Sequence, residues 1–157
     1  MNERIKIYLA GPLFSLSERN FNRALAQALR DRMPSCTVIL PQEHANTIVG
    51  RRGFMKNMFE YCMKSIIKCD VVVAVLDGPD VDSGTCVEIG YAYANKKPII
   101  GVRTDFRASE DRGVNLMVSK ACSQLIWLQN SSIELEHVLD EILLAVEPLF
   151  SSNLMER

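Results

Sequence analysis

The 157-residue chain reads as an α/β protein: one doubly wound, five-stranded parallel sheet of flavodoxin-like or Rossmann-like type, strand order 2-1-3-4-5. Short apolar runs alternate from end to end with longer stretches of helical periodicity, the pattern of successive βαβ units. The middle run, Val71 to Leu76, is unbroken in apolarity and too short for a helix, so it reads as a central parallel strand buried on both faces. At roughly 150 residues per domain, residues 1–157 are expected to form a single domain. A chain of this size buries on the order of 70% of its unfolded surface and needs no staples to fold.

The elements follow in order. Ile5 to Leu9 is a β-branched strand ended by Ala10-Gly11-Pro12. Ser15-Leu16-Ser17-Glu18 reads as a capping box with Phe14 as its staple. Phe21, Leu25, Ala28 and Leu29 continue that helix at the right spacing, and Pro34 closes it. Thr37 to Leu40 is the second strand, stopped by Pro41, and Gln42 to Arg52 is expected as a polar loop. Phe54, Met55, Met58, Phe59, Cys62, Met63, Ile66 and Ile67 form one wide helical stripe, read as core packing. After the central strand, Asp77-Gly78-Pro79 breaks the chain. Thr85 to Asn95 reads as a helix and Pro98 to Val102 as a strand. Arg103 to Gly113 is a charged loop, Asn115 to Lys120 a short helix and Gln124 to Leu128 the fifth strand. Ser131-Ser132-Ile133-Glu134 is a second capping box opening a last helix that Pro148 ends.

Composition excludes several classes. Eighteen Lys and Arg stand against 19 Asp and Glu, a net charge of −1, which removes the long-range drive toward nucleic-acid polymers or anionic membranes. The longest aliphatic run is far too short to span a bilayer, and MNERIKIYLAGP lacks the pattern of a secretory signal. Five cysteines without a C-x-x-C are expected as free thiols in a reducing cytoplasm. Two histidines, His44 and His137, are too few for a His-rich metal site, and no metal is expected. There is no G-x-x-x-x-G-K-[ST], no G-x-G-x-x-G after the first strand and no G-x-S-x-G. No cofactor is expected.

The strand order carries a functional consequence. Strands 1 and 3 become neighbours whose crossovers leave in opposite directions, and ligands bind in the crevice this opens at the strands' C-terminal ends. The loops bounding it are Ala10 to Phe14 and Asp77 to Thr85, the turns richest in glycine and carboxylate. In Asp82-Ser83-Gly84-Thr85-Cys86-Val87-Glu88-Ile89-Gly90, Gly84 allows close backbone approach and either Ser83 or Thr85 can cap the helix. Glu88 falls in or near the first turn, where the helix dipole favours the carboxylate by roughly 0.3–1 kcal/mol. Such an ionised carboxylate suits attack on an electrophilic carbon, as in glycosyl transfer through a covalent ester. An acidic first turn that only complements the dipole fits the same residues. Arg103 and Arg107 are candidates to bind an anion, or plain solvated loop charge.

Four segments carry a resemblance: Tyr8-Leu9-Ala10-Gly11-Pro12, Cys69 to Asp77, Asp82-Ser83-Gly84-Thr85-Cys86-Val87-Glu88-Ile89-Gly90-Tyr91-Ala92, and Asn115-Leu116-Met117. In this order and spacing, over about residues 5 to 130, they resemble the nucleoside 2-deoxyribosyltransferase family. The resemblance implies cleavage of the N-glycosidic bond of a 2′-deoxynucleoside and transfer of the deoxyribosyl group to another nucleobase. It implies Glu88 as nucleophile, Tyr8 as the group that orients it and Asp82 on the sugar 5′-hydroxyl. Asn115 is implied on that same hydroxyl, donated across a subunit interface of a homo-oligomer, dimer-based and up to a hexamer. Gly11, Phe14, Asp77, Gly84 and Met117 complete the expected substrate-binding set for nucleosides and nucleobases.

One departure stands out. Some members carry, in the helix before strand 3, an Asp proposed to handle protons on the base; eight residues before Asp70 this chain has Cys62. Base protonation is then expected from another group, with Glu43, His44 and Asp77 as candidates, or from water. The nearest rival is a 5′-nucleotide N-glycosidase, whose members carry Ser where this chain has Asp82. A carboxylate there would repel a phosphate within about 4 Å by roughly 1–4 kcal/mol, depending on dielectric. The second rival is a phosphoribohydrolase bearing P-G-G-x-G-T-x-x-E, which Gly84-Thr85-x-x-Glu88 echoes without the double glycine. The third is a nucleotide-sensing module without turnover.

Overall fold

Alternation of apolar side chains along short strands builds a sheet with two separate cores. The computed structural model describes residues 5–107, 113–128 and 130–155. Within it β1 (Ile5–Ala10), β2 (Cys36–Ile39), β3 (Val71–Val75), β4 (Ile99–Arg103) and β5 (Gln124–Trp127) pair in parallel in the order β2-β1-β3-β4-β5. The order is the expected one. On β3, Val71, Val73 and Val75 face one core while Val72, Ala74 and Leu76 face the other. On β1, Ile7 and Leu9 join the first core, whereas Tyr8 and Ala10 turn to the second. The first core is closed by α1 (Leu16–Arg32) and α6 (Leu135–Met155). The second is closed by α3 (Phe54–Lys68), α4 (Ser83–Ala94) and α5 (Leu116–Ala121). Strand parity alone therefore sends the Tyr8 ring toward α3 and α4.

Several local expectations change. The segment expected as a polar loop contains α2 (Pro41–Ile48). Pro41 occupies its first turn, where a missing N–H and a fixed φ favour the helix, so the residue that stops β2 starts the next element. The capping box at Ser15 and Glu18 forms, but Phe14 is 74% exposed and staples nothing. The second box does not form: 131 and 132 lie in a turn, α6 starts at Leu135, and the Glu134 N–H donates to Nδ1 of His137 at 3.2 Å. Pro148 lies inside α6 rather than ending it. Leu149 beyond it still packs on the first core, and that burial offsets the hydrogen bond that proline cannot donate.

The stripe on α3 is the larger correction. Ile66 is fully buried, but Met55 is 79% exposed and Phe59 and Ile67 also face outward. A helix of 15 residues is about 22 Å long, whereas a five-residue strand spans about 16 Å. The first turns of α3 therefore overshoot the sheet at its C-terminal edge, and their apolar side chains have no strand to cover. The expected charged loop also divides. Arg103 is the last residue of β4 and fully buried, while residues 108–112 lie outside the described residues.

Candidate active site

At the C-terminal edge, Asp82 caps α4. Its Oδ2 accepts from the Thr85 N–H at 2.8 Å and from Thr85 Oγ1 at 3.0 Å. The cap is thus Asp82, where Ser83 or Thr85 was expected; a carboxylate in extended backbone just before the first helical residue is the stronger acceptor there. With the helix starting at Ser83, Glu88 falls in the second turn, and the first turn carries no acidic residue. The dipole therefore does not govern its ionisation.

Burial does. Glu88 points from α4 toward β1 and α3, and the Tyr8 hydroxyl donates to its Oε1 at 2.5 Å. The Cys62 thiol on α3 is near enough to both groups to influence their protonation. Burial pushes the Glu88 carboxyl up to about 7; the hydrogen bond from Tyr8 and the nearby Cys62 thiol pull it back, and the Asp82 charge adds to the rise. Burial also raises the Tyr8 phenol, with the Glu88 charge adding to the effect, so the phenol is a fixed donor. The Cys62 thiol is pushed up to about 11, again chiefly by burial, and stays protonated at neutral pH.

The loops around this cluster are locked. Asp77 accepts from the Thr104 N–H at 2.6 Å, Thr104 Oγ1 at 2.5 Å and the Asp105 N–H at 2.9 Å. That use ties the exits of β3 and β4 together. Gly78 has φ +122°, and a Cβ there would lie 2.9 Å from the Asp80 carbonyl oxygen, so only glycine serves this turn. The Arg103 guanidinium donates to the carbonyls of Leu76 at 2.6 Å, Gly78 at 3.1 Å and Arg107 at 3.0 Å. Arg107 pairs with Asp105, whose carboxyl the guanidinium holds well below its usual range. Both arginines expected as anion ligands or solvated charge are thus engaged within the loops. Gly11 sits where a Cβ would meet Val75 Cβ at 3.2 Å and Asn22 Oδ1 at 3.3 Å. Asn22, buried beneath, donates to the Pro12 carbonyl at 2.8 Å and holds that loop.

The other expected site residues lie apart. Asn115 caps α5, its Oδ1 accepting from the Met117 N–H at 2.9 Å, and Met117 is 77% exposed. Both line a cavity of about 590 Å³ with Cys86, Ile89, Gly90 and Tyr93 of α4. That helix face is the one turned away from Glu88, so α4 separates Asn115 from the carboxylate. Gly84 is exposed beside the Asp82 cap. Of the proton-transfer candidates, Glu43 is paired with Arg30 at 2.8 Å, and His44 stacks on Tyr61 with ring centroids 3.7 Å apart. Cys62 is the residue that sequence reasoning set aside; its place eight before Asp70, on the stripe that also carries Ile66, was the available signal. Among the described residues, no three His, Cys, Asp or Glu side chains are grouped to hold a metal ion. No helix among them is long and apolar enough to cross a membrane.

Fold and site together define an α/β protein with a half-buried, tyrosine-bonded carboxylate at the switch point of a 2-1-3-4-5 sheet. The sequence profile of the nucleoside 2-deoxyribosyltransferase family matches residues 7–117, and the chain belongs to that family. It is 32% identical over 161 aligned residues to an uncharacterized protein of Ureaplasma parvum serovar 3, covering 90% of this chain and 99% of that one. A 2-deoxyribosyltransferase of Bacillus psychrosaccharolyticus shares the fold at 24% identity and TM-score 0.68, covering 86% of this chain and 90% of that one. A CMP N-glycosidase of Clostridium botulinum shares it at 17% identity and TM-score 0.57, covering 87% and 97%.

The raised Glu88 carboxyl has a consequence for stability. Below about 4.5, the usual carboxyl value, both folded and unfolded chains hold the proton and burial costs little. As pH rises toward 7 the unfolded chain ionises first, so stability falls, and above 7 the full penalty is present. Glu88→Gln is expected to stabilise the protein by roughly 2–3 kcal/mol at pH 8 and by almost nothing at pH 4. Urea unfolding of both proteins at the two pH values measures the difference; a gain of equal size at both would refute the burial account.

Proposed function

We propose that the chain transfers the 2-deoxyribosyl group of a 2′-deoxynucleoside to a second nucleobase, with Glu88 as the nucleophile. The observation that carries this reading is the Tyr8–Glu88 hydrogen bond of 2.5 Å in the switch-point crevice of a chain belonging to this family. A Glu88 oxygen attacks C1′ on the face opposite the base. The C1′–N bond breaks, its electron pair leaves with the base, and the base takes up a proton. The transition state has oxocarbenium character, and the adjacent carboxylate stabilises it. A nitrogen of the second base then attacks C1′, the ester bond breaks with its electron pair returning to the Glu88 carboxylate, and the incoming base gives up a proton, so that two inversions give net retention. Only the ionised carboxyl can attack, so the rate should rise with pH through about 7. Water attacking the same ester gives hydrolysis instead. Glu88→Ala should fold and lose on the order of 10³-fold or more in kcat. A 2′-fluoro-nucleoside should leave the sugar mass on the peptide containing Glu88, and a variant keeping a tenth of the activity would end the assignment.

The choice between a nucleoside and a nucleotide rests on Asp82. It adds negative charge beside Glu88, while Arg103 is spent on carbonyls and Arg107 on Asp105. A carboxylate accepts a hydrogen bond from a neutral 5′-hydroxyl, a bond worth roughly 1.5–3 kcal/mol, and repels a 5′-phosphate. Deoxyadenosine should therefore be used far better than its 5′-monophosphate. Asp82→Ser, which retains a cap for α4, should narrow or reverse the ratio of kcat/KM values. A wild-type preference for the monophosphate would favour the nucleotide N-glycosidase reading.

The position of Asn115 supports a shared site. With α4 between Asn115 and the Glu88 of the same chain, and with Leu116, Met117 and Tyr93 exposed, Asn115 is available to a neighbouring chain. Residues 1–157 then act as one domain whose site is completed in a homo-oligomer. Mixing Glu88→Ala with Asn115→Ala chains, each inactive alone, should restore part of the activity through hybrid sites. A fully active monomer by light scattering at assay concentration would exclude it.

A further inference from the structure

We propose that Arg103 is a positioning residue for two active sites at once: its guanidinium fixes the turn that leads to Asp82 of its own chain and the segment that carries the Asn115 lent to a neighbouring chain. The inference rests on the reading in which Asp82 holds the 5′-hydroxyl and Asn115 completes a neighbour's site. Ile100 and Val102 of β4 face the first core, so strand parity turns Arg103 to the side of α4 and α5, where it is fully buried. Its Nη1 donates to the Leu76 carbonyl at 2.6 Å and its Nη2 to the Gly78 carbonyl at 3.1 Å, in the turn that runs on to Asp82. Nη2 also donates to the Arg107 carbonyl at 3.0 Å. On its other side a Cβ on Gly113 would lie 2.8 Å from Nη2 and 2.9 Å from Nε, so the Gly113 backbone rests directly against the guanidinium. The next residue, Val114, is buried in the second core, and the one after it, Asn115, caps α5.

Neighbouring charged side chains do not make this link. The bonds of Asp77 end at Thr104 and Asp105, and Arg107 spends its guanidinium on Asp105. Carbonyls hold the Arg103 cation, and its Nε finds no acceptor among the described residues. A charge buried in this way is costly, and an apolar side chain of similar volume often fills such a space with a gain in stability. An apolar side chain cannot join carbonyls from separate loops, whereas a planar fork of donors can. The arrangement therefore sets the spacing between the Asp82 turn and the Asn115 segment at the expense of stability.

Arg103→Lys keeps the charge without the planar fork, and Arg103→Met keeps the length without donors. Each should raise KM for deoxyadenosine about three- to tenfold and leave kcat within about twofold of wild type. Thermal unfolding identifies the variants that fold, and Gly113→Ala presses on the same guanidinium from the α5 side with Arg103 intact. 2′,5′-Dideoxyadenosine lacks the hydroxyl assigned to Asp82. On it, wild type and Arg103→Lys should agree within about twofold in kcat/KM, because a misplaced acceptor costs nothing when there is no donor to meet. General damage to the fold would lower turnover of both substrates alike, and that result would overturn the proposal. Mixing separates the two sites. In a hybrid of Glu88→Ala and Asn115→Ala chains, the working site takes Asp82 and Glu88 from the second chain and Asn115 from the first. Arg103→Lys added to either chain alone should raise the hybrid's KM. A rise from one side only overturns the double role. An unchanged KM from both sides overturns the proposal and leaves the transferase reading standing. Wild type that uses the dideoxynucleoside as well as deoxyadenosine, or hybrids that never regain activity, would overturn it through the reading on which it rests.

Discussion

The arrangement around the crevice depends on holding one carboxylate largely out of water. Desolvation alone would hold Glu88 protonated, and an isolated buried charge is among the costliest features a fold can carry. The chain answers with a neutral donor, the Tyr8 hydroxyl, rather than with a cation. The Tyr8 hydroxyl reaches Oε1 from the sheet and works against the burial that raises the carboxyl to about 7. A lysine or arginine would have lowered it further, and would also have neutralised the charge that an electrophilic sugar carbon needs to meet. The balance costs stability at the pH where the group ionises.

That requirement explains the rigidity of the neighbouring loops. A donor at 2.5 Å is useful only if strand and helix do not slide, and the exits of β3 and β4 are held by side chains that look functional in the sequence. Asp77 spends both oxygens on the Thr104–Asp105 segment. Arg103, fully buried, bonds carbonyls from both loops, and a Cβ on Gly113 would lie within 2.9 Å of its Nε. Removing such a partner leaves buried carbonyls unsatisfied, which costs roughly 1–3 kcal/mol each. Charged residues at a crevice are thus divided between chemistry and scaffolding, and burial with partners tells the two apart.

The same distinction separates the two faces of α4. Its inner face presents Glu88 to Tyr8; its outer face, with Cys86, Gly90 and Tyr93, borders a cavity that includes Asn115 and Met117. Apolar side chains at the first turns of α3 remain outside the cores because that helix extends beyond the short strands, and Leu116 and Met117 on α5 are exposed as well. An exposed apolar surface of this kind on an otherwise well-packed protein marks a place where further burial is available.

Much of this was legible in the residues themselves. Among the described residues, period-2 and period-3.6 patterns foretold all five strands and five of the six helices, because burial on one or two faces writes itself into local order. The strand order is the commonest one for a five-stranded doubly wound sheet, and it points to the Gly11 and Gly78 loops. Elements that hinge on one residue's two roles were not legible. Pro41 both stops a strand and starts a helix, Pro148 is tolerated inside α6 because Leu149 still finds the core, and Asp82 rather than Ser83 or Thr85 takes the cap. The motif singled out Glu88 but assigned its ionisation to the helix dipole, when burial against β1 and α3 sets it. Composition could not tell that Arg103 is buried and Met55 exposed, nor that Cys62 sits beside the carboxylate. Those facts depend on where helices of one length cross strands of another, and only the packed tertiary structure brings residues 8, 62 and 88 to one point.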